Sequence, residues 1–339
     1  MIKVGINGIG RIGKSILTQC INDKDICVKA INMPNFKIDK ITSYLSHDSC
    51  HKEVIPTKSI HVINDNTINI MSKDRRSNHI KFINHREPVH YMWEDNNVEY
   101  VFDTTGKFLT KESATKHNVD YMIMCAPSKD NTPQYLYNGN HDSYKGENII
   151  SGSSCTTNCI VPLLKLLDEK YSVVSSNFLT VHAATASQNV IDGVHLKNRS
   201  HRSIFNNIIP HTTGASKSAT KILPNLKDKL HGSSVRIPIS NVSMVDLNVS
   251  LKKPTTLFEI FSFLNNRDEV YINHDKHLVS SDFLTTTYPT IIDIHSSMSM
   301  GPNEFKFTIW YDNEWSYSAQ VIKLMKHMYT TNKKLFVLK

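Results

Sequence analysis

The first 32 residues change from one hydrophobic periodicity to another and back. Residues 2–7 alternate in polarity and are rich in β-branched side chains, which predicts a strand. Residues 11–21 have helical spacing, with Ile16 and Leu17 on the apolar side, and residues 26–32 again predict a strand. A strand, a helix and a strand within about 30 residues form a βαβ unit, which leads to a parallel sheet.

Three further short apolar runs predict more strands of the same sheet, at residues 98–103, 121–125 and 148–151. The first two end in small and polar residues, Thr104-Thr105-Gly106 and Ala126-Pro127-Ser128. Loops at the carboxyl ends of parallel strands face the ligand in open α/β sheets. The N-terminal part therefore predicts a ligand-binding α/β domain.

The pattern changes after about residue 154. The runs become longer and show more polar alternation, which indicates a second domain with a large mixed or antiparallel sheet. The predicted strands are 173–183, 234–239, 242–251 and 305–311, and the predicted helices are 160–167, 256–264 and 318–329. No Gly/Ser-rich linker separates the two parts, so we expect the chain to cross directly from one domain to the other.

Composition narrows the class of protein. A chain of 339 residues with 40% hydrophobic and 21% charged residues is globular and long enough for about two domains. The six cysteines lack zinc-binding spacing and are too sparse for a disulfide scaffold, so we expect no metal and a reducing, cytoplasmic location. No apolar run reaches membrane-spanning length and the N-terminus reads as a strand, so we expect no membrane partner.

The net charge is +8, from 39 basic and 31 acidic residues. A basic surface attracts phosphorylated metabolites or nucleic acid, but an excess of this size also serves solubility alone. The positive residues are dispersed in short clusters and form no basic tail. Charge by itself therefore leaves RNA open as a secondary partner without requiring it.

Glycine is scarce, yet four of the 12 glycines lie in the first 13 residues. The run Gly8-Ile9-Gly10-Arg11-Ile12-Gly13 stands between the first strand and the first helix. In this context the pattern predicts a dinucleotide site, with the pyrophosphate at the helix N-terminus. An acidic residue usually ends the second strand and binds the ribose hydroxyls, but Met33 follows Asn32 here.

A cysteine and a histidine suggest covalent chemistry. Cys155 follows a strand and begins the apolar helix, where free amides and the helix dipole stabilise a thiolate. His182 ends a predicted strand, and a histidine beside a thiol makes a nucleophile with its base. The alternative is a small buried cysteine and an unrelated histidine, because sequence spacing does not show that the two are close.

Six motifs in one order resemble the glyceraldehyde-3-phosphate dehydrogenase family over the whole chain. They are residues 5–13, the run Ser154-Cys155-Thr156-Thr157-Asn158-Cys159, residues 180–193, residues 207–215, residues 236–247 and residues 310–318. The resemblance implies an N-terminal Rossmann-type dinucleotide-binding domain plus an α+β catalytic domain with a large mixed sheet. It implies domain limits of 1–153 for the NAD-binding domain, 154–317 for the catalytic domain and 318–339 for a helix that packs back on the first.

The resemblance also implies the reaction. Cys155 would attack the aldehyde of D-glyceraldehyde 3-phosphate, and His182 would lower the thiol pKa and accept the hydroxyl proton as hydride leaves for NAD. Inorganic phosphate would then attack the thioester and release 1,3-bisphosphoglycerate, a step of glycolysis. The family forms homotetramers, and a loop like that at residues 199–207 contacts a neighbour's cofactor.

Further site residues follow by the same resemblance. The residues expected to bind the substrate phosphate or the attacking phosphate are Ser154, Thr156, Thr185, Thr213, Gly214 and Arg236. The residues expected to bind the cofactor are Asn7, Gly8, Gly10, Arg11, Ile12, Met33, Arg86, Thr105, Asn313 and Tyr317. The amide of Cys155 would hold the oxyanion.

The chain departs from the family at four places. Met33 replaces the ribose-binding Asp, Gly152 stands where Asn is usual, Val194 stands where Pro is common, and residues 195–202 form an unusually basic loop. None of these changes the nucleophile or the base. They leave two alternatives open: a catalytically weakened homologue that binds RNA or a protein, and an enzyme for erythrose 4-phosphate or a non-phosphorylating reaction.

Overall fold

The computed structural model describes residues 1–35, 37–51, 54–194 and 199–337. The strands within these residues are β1 Ile2–Asn7, β2 Ile26–Asn32, β3 Ile60–Asn64, β4 Thr67–Met71, β5 Ser77–Ile83, β6 Tyr100–Asp103, β7 Tyr121–Met124, β8 Ile149–Ser151, β9 Val173–Ala183, β10 Ile209–His211, β11 Leu230–Ile237, β12 Ser243–Leu251, β13 Tyr271–Asn273, β14 Ile291–Gly301 and β15 Glu304–Tyr311. The α-helices are α1 Arg11–Ile21, α2 Ile41–Ser46, α3 Lys111–Thr115, α4 Cys155–Tyr171, α5 Ala215–Ile222, α6 Leu257–Leu264 and α7 Trp315–Val337. The chain divides into two compact units, Met1–Ser153 together with the segment from Ser318, and Ser154–Tyr317.

The first unit contains an eight-stranded sheet in the order β3-β4-β5-β2-β1-β6-β7-β8. Strands β5, β2, β1, β6, β7 and β8 are parallel, and β4 and β3 add an antiparallel edge. The chain leaves β1 toward β2 and later returns to β6 on its other side. Such a reversal opens a crevice at the carboxyl end of β1, where open α/β sheets bind their ligands.

Apolar side chains explain why these strands lie at the centre. Five of the six β1 residues are buried, as expected for a parallel strand that is covered on both faces. Helix α1 buries Ile16, Leu17 and Ile21 on its inner side. The C-terminal helix α7 joins this unit through Lys326, whose Nζ lies 2.9 Å from Asp23 and 2.7 Å from Asp25.

The second unit contains a seven-stranded sheet in the order β10-β11-β9-β12-β15-β14-β13. Strands β9, β12, β15 and β14 are antiparallel neighbours, whereas β11 runs parallel to β9 and β13 parallel to β14. Along β12, buried residues alternate with partly exposed ones, so one face of the sheet supplies the core. Helix α4 contacts β9, β12 and β15. This contact places the first turn of α4 beside the middle of the sheet.

The predicted fold class is confirmed: a doubly wound, largely parallel sheet of the Rossmann type, and a large mixed sheet with helices. Helix α4 begins five residues earlier than the apolar pattern indicates, because its first turn is polar and Ser154 caps it. Strands β3, β4, β5, β10, β13 and β14 were not predicted. Four of the five β3 residues are exposed, and β14 carries polar residues on both faces, so neither shows a clear apolar pattern. None of the helices in the described residues has the length and apolarity needed to cross a membrane.

Candidate active site

The first turn of α4 positions Cys155. Ser154 precedes it in an extended conformation, and its Oγ accepts a hydrogen bond from the Thr157 amide at 3.1 Å. This cap ends the strand-like segment and starts the helix at Cys155. The fully buried residues Ile160 and Leu163 anchor the helix behind the cap. The thiol therefore sits at the positive end of a 17-residue helix.

Strand β9 brings His182 to this thiol. The Nε2 atom of His182 lies 3.5 Å from the Sγ atom of Cys155, which is hydrogen-bond distance for sulfur. Both residues lie in the second unit, and His182 is buried. The structure thus brings together the two side chains whose proximity the sequence left open, and this geometry suits a nucleophile with its proton acceptor.

The imidazole of His182 is held in its neutral form. Burial lowers the pKa of His182 to about 3, and the positive charge of Arg236 acts in the same direction. Arg236 is aligned with His182 by the parallel pairing of β11 with β9, and its Nη1 contacts the Nδ1 of His182. The imidazole of His182 is therefore neutral at physiological pH, with a lone pair on one ring nitrogen.

Two neighbours compete for the Nδ1 atom of His182. The carbonyl oxygen of Ala183 lies 2.8 Å away and requires a proton on Nδ1. The guanidinium of Arg236 also donates hydrogen bonds, and it requires a lone pair there. Only the first tautomer leaves the lone pair of Nε2 facing the Cys155 thiol. His182 can act as a base toward Cys155 only when Nδ1 carries the proton and donates it to Ala183. A ligand that binds the guanidinium of Arg236 would favour this tautomer, because it would remove the competing donor from Nδ1.

The environment of the Cys155 thiol favours its protonated form. Burial raises the pKa of Cys155, and the charge of Arg236 and a hydrogen bond from Thr156 offset only part of that rise. This direction is opposite to the lowering of the thiol pKa that the helix N-terminus and His182 led us to expect, because burial is the larger influence. The arrangement instead requires a base to remove the thiol proton as the sulfur attacks.

Tyr311 is a supporting residue that the sequence analysis missed. Its buried hydroxyl bonds the Oγ1 atoms of Thr156 and Thr180, each at 2.9 Å, and its ring meets the His182 ring edge-on. One side chain therefore links the first turn of α4 to strand β9. The signal was available in the alternation of β15, which turns Tyr311 inward, but the motif around it suggested only a cofactor role.

The other predicted phosphate ligands lie on nearby loops of the second unit. Thr185 follows β9, is exposed, and donates its hydroxyl to Gln188 Oε1 at 2.9 Å. Thr213 and Gly214 precede α5, and the amide of Ala215 donates to Thr213 Oγ1 at 3.2 Å. None of these side chains makes a direct hydrogen bond to Cys155 or His182 within the residues that the structure describes.

Asn313 is fixed by a short relay to the same strands. Ser243 donates its hydroxyl to Asn313 Oδ1 at 2.7 Å and accepts the amide hydrogen of Ala183 at 3.0 Å. With Oδ1 occupied, the Nδ2 group is the part of Asn313 that remains to bind a ligand carbonyl. Tyr317 is buried in the first turn of α7.

The glycine loop in the first unit has the shape that a pyrophosphate requires. Gly8 has a φ of +89°, which side-chain-bearing residues rarely adopt. A Cβ on Gly13 would lie 2.2 Å from the carbonyl oxygen of Gly8, so only glycine lets α1 approach the loop. A Cβ on Gly10 would meet no atom within 4 Å, which leaves open space at the N-terminus of α1. The residues present therefore fit a dinucleotide.

A buried polar network supports this loop from below. Asn7 donates to Asp103 at 2.6 Å and accepts from Asn32 at 2.8 Å, and Thr105 donates its hydroxyl to Asp103 at 2.8 Å. Burial raises the pKa of Asp103 to about 6. Asn7 and Thr105 are therefore joined at the carboxyl ends of neighbouring strands. The sequence analysis missed Asp103, although it ends a predicted strand two residues before Thr105.

The remaining predicted cofactor residues surround the loop. Arg11 is exposed and forms an ion pair with Asp48 at 2.5 Å, while Ile12 is partly buried in the first turn of α1. The amide of Met33 donates to the Ile83 carbonyl at 2.8 Å, so only its side chain is left for a ligand. Arg86 is exposed, and its carbonyl accepts the hydroxyl of Tyr91.

The departures from the family pattern have few structural consequences in the described residues. The amide of Gly152 donates to Met124, and Val194 is exposed. Residues 195–198 of the basic loop lie outside the described residues. In the rest of that loop, Arg202 pairs with Asp192 at 2.9 Å, which offsets part of the predicted positive charge.

Comparison with known proteins shows the family of this chain. The family model described as "Glyceraldehyde 3-phosphate dehydrogenase, NAD binding domain" matches residues 2–111, and the model for the C-terminal domain matches residues 154–313. Glyceraldehyde-3-phosphate dehydrogenase of Bacteroides fragilis is 38% identical over 341 residues, which cover 96% of this chain and 98% of the relative. The cytosolic protein of that name from Leishmania mexicana is 38% identical, with 96% and 99% covered. Glyceraldehyde-3-phosphate dehydrogenase 4 of Caenorhabditis elegans is 36% identical, with 96% and 98% covered.

Proposed function

Because the chain belongs to the glyceraldehyde-3-phosphate dehydrogenase family, we propose that it oxidises D-glyceraldehyde 3-phosphate to 1,3-bisphosphoglycerate in glycolysis, with NAD and inorganic phosphate. The observation that carries this proposal is the 3.5 Å approach of Cys155 Sγ to His182 Nε2 at the start of α4. Arg236 lies beside this pair and supplies a cation for a phosphorylated substrate. The three side chains together suit covalent catalysis on a phosphate-bearing aldehyde.

Cys155 starts the reaction. As its sulfur attacks the aldehyde carbon, the thiol proton moves to His182 Nε2 and the carbonyl electron pair becomes an oxyanion. The backbone amide of Cys155, at the helix N-terminus, donates to that oxyanion. His182 returns this proton to the oxyanion, which gives the thiohemiacetal and leaves the imidazole neutral again. Since burial keeps the thiol protonated, the base at 3.5 Å is needed in this first step.

His182 then accepts the hydroxyl proton of the thiohemiacetal, and the carbon gives up its hydride and becomes a thioester. NAD, when bound, supplies the hydride acceptor. Inorganic phosphate attacks the thioester carbon, the carbon–sulfur bond breaks, and the sulfur leaves with its electron pair. The products are the acyl phosphate and a regenerated Cys155.

The phosphate ligands we propose are Thr185 and Arg236 for the substrate, and Ser154, Thr156, Thr213 and Gly214 for the attacking phosphate. Arg236 has a second consequence for the base. A substrate phosphate would take the guanidinium hydrogen bonds that now reach His182 Nδ1 and the Ala183 carbonyl. The Nδ1 proton of His182 then stays hydrogen-bonded to the Ala183 carbonyl, and Nε2 presents its lone pair to the thiol.

The cofactor ligands we propose begin with the open glycine loop at the N-terminus of α1. Its backbone, with Asn7, Gly8, Gly10, Arg11 and Ile12, would hold the pyrophosphate. Arg86 and Met33 would lie at the adenosine end, and Thr105 beside the strand that carries Asp103. In the second unit, the Nδ2 group of Asn313 would donate to the nicotinamide carboxamide, and Tyr317 would pack near the ring.

We also propose the domain limits, assembly and location implied by the resemblance. Residues 1–153 would form the NAD-binding domain, residues 154–317 the catalytic domain, and residues 318–339 the helix that packs back on the first. Exposed apolar residues in 190–194 and 199–208 support a homotetramer, because Val190, Ile191, Val194, Phe205 and Ile208 are each more than half exposed. The cytosolic relative supports a cytoplasmic location.

The direct test measures reduction of NAD by the protein with D-glyceraldehyde 3-phosphate and phosphate. We expect Cys155→Ser to lower kcat by at least about 10⁴-fold, because the hydroxyl is a far weaker nucleophile at this site. NAD affinity should stay unchanged. The matched control is Cys27→Ser, a partly exposed cysteine on β2, which should keep full activity.

Two results would contradict the proposal: turnover retained by Cys155→Ser, or no turnover by the unaltered protein with Cys155 shown to be reduced. The alternative of a weakened homologue that binds RNA or a protein has no feature of the described residues in its favour. The pairing of Arg202 with Asp192 reduces the charge that motivated it.

A further inference from the structure

A cavity of about 380 Å³ lies in the first unit beside the end of β2. It is lined by Met33, Asn35, Lys37, Lys40, Ile41 and Tyr44. Its volume falls in the range of small-molecule sites. The lining combines the ammonium groups of Lys37 and Lys40 with polar and apolar side chains, so it suits the anionic part of a ligand.

The cavity is attached to the glycine loop. The hydroxyl of Tyr44 donates to the carbonyl of Ile9, inside the loop, at 2.5 Å. Lys14 of α1 lies over the Tyr44 ring at 5.2 Å and donates to the carbonyl of His47. Helix α2 is therefore fixed against the start of α1. A dinucleotide with its pyrophosphate at that helix N-terminus places its adenosine ribose at the end of the second strand, where this cavity opens.

The charges of the cavity have one sign. Lys37 and Lys40 are its charged lining residues, and among the described residues neither ammonium group has an ion-pair partner. The nearby carboxylate of Asp48 is occupied by Arg11 at 2.5 Å and Lys14 at 3.2 Å. Met33 occupies the position of the acidic residue that repels a second phosphate in dinucleotide sites specific for NAD. The cavity therefore attracts an anion where such sites exclude one.

We propose that this cavity accepts a ribose 2′-phosphate, so that the chain binds NADP as well as NAD. Lys37 and Lys40 would pair with the phosphate, and Asn35 would contribute hydrogen bonds. The inference rests on the proposed dinucleotide function of the glycine loop, but it concerns a separate group of residues. It does not depend on Cys155 or on turnover.

The test uses two nucleotides that differ only in the phosphate concerned. Isothermal titration of the full-length protein at low salt compares 2′,5′-ADP with 5′-AMP. We expect 2′,5′-ADP to bind about 10-fold more tightly, which is within the range that two solvent-exposed ion pairs allow. The double variant Lys37→Glu with Lys40→Glu should lose this advantage and keep its affinity for 5′-AMP within about twofold.

A matched control makes the same change of charge at the other end of β2, before the strand begins. Lys24 and Lys73 are exposed there, near the end of α1, and the amide of Lys73 donates to Asn22. Lys24→Glu with Lys73→Glu should preserve the preference for 2′,5′-ADP. An equal loss in both double variants would overturn the assignment to this cavity and indicate the net charge of the chain.

The outcomes separate this inference from the proposed function. If NAD binds but 2′,5′-ADP binds no more tightly than 5′-AMP, the 2′-phosphate site is overturned and the dinucleotide site stands. If neither NAD nor either mononucleotide binds, the dinucleotide function fails and this inference fails with it. Thermal stability of each variant verifies that the altered protein is folded.

Discussion

The two sites of this molecule differ in what they are made of. The site in the second unit consists of side chains whose atoms must meet: Cys155 Sγ lies 3.5 Å from His182 Nε2, and Tyr311 bonds two threonines that hold them. The site in the first unit consists mainly of backbone, with the positive φ of Gly8 and the close approach of Gly13. The site in the second unit therefore depends on the placement of individual side-chain atoms, whereas the site in the first unit depends on the shape of the backbone.

This difference bears on the departure from the family pattern at Met33. The amide of Met33 keeps its hydrogen bond to Ile83 whatever side chain the residue carries, so a change there leaves the loop intact. No comparable freedom exists at His182, whose two ring nitrogens both have neighbours. We infer that a backbone-built site can change its ligand preference at one residue, while a side-chain-built site loses its chemistry.

The largest effect is expected from His182→Gln. The amide can occupy the same space but cannot accept a proton, so kcat should fall by about 10²- to 10⁴-fold while NAD affinity is unchanged. The exposed histidine of β11 provides the control, and His231→Gln should have full activity. If kcat fell less than about fivefold, another group would remove the proton. The site in the second unit would then tolerate the loss of a side chain, contrary to our inference.

The next prediction concerns a buried histidine beside the polar network that supports the glycine loop. His117 is buried 3.9 Å from Asp103, and burial lowers the pKa of His117 to about 4. Between about pH 4 and 6.5 the unfolded chain therefore binds more protons at this histidine, and its contribution to the unfolding free energy falls as the pH falls. Asp103 acts in the opposite sense, because its pKa is raised to about 6.

The variant His117→Phe isolates the histidine from this pair. Its neighbours Tyr91 and Phe108 meet the ring edge-on, so phenylalanine suits the space. Relative to the unaltered protein, the variant should gain about 3 kcal/mol of unfolding free energy between pH 6.5 and pH 4, measured by urea denaturation. The exposed residue His79 is the control, and His79→Phe should show no such gain. Parallel curves for all three proteins would place the acid sensitivity elsewhere.

The sequence predicted the parts of the fold that carry strong periodicity. Strand β9 and helix α1 have the predicted limits, because buried apolar residues recur along their whole length. It did not predict β14, in which Asp293 and several serines serve contacts that only the folded sheet creates. Of the site, it identified Cys155 and His182 by residue type, but their 3.5 Å separation depends on the packing of α4 against β9.

The site residues that the sequence analysis missed share one property. Tyr311 and Asp103 act through other side chains and do not carry a reactive group in a recognisable motif. Their partners are distant in sequence, because Thr156 is 155 residues from Tyr311 and Asn7 is 96 residues from Asp103. Only pairing between strands and packing of helices reveal such contacts. The cavity beside β2 is similar, because only the folded structure shows that Lys37 and Lys40 line it together with Met33.

The smallest effect is expected from Met33→Asp. This variant tests directly whether the site in the first unit is built from backbone. If the backbone of the glycine loop is independent of this side chain, a carboxylate here can only change ligand preference. NAD affinity should rise by about 10- to 150-fold, because the carboxylate would accept the ribose hydroxyls in a charge-assisted hydrogen bond worth about 1.5–3 kcal/mol. Affinity for 2′,5′-ADP should fall in the same variant, because the carboxylate repels the second phosphate. A leucine at this position is the control, since it matches methionine in size and should move neither affinity. Titration calorimetry measures both affinities. If the affinities for NAD and for 2′,5′-ADP rise or fall together, Met33 determines the conformation of the glycine loop. The site in the first unit would then depend on its side chains, as the site in the second unit does.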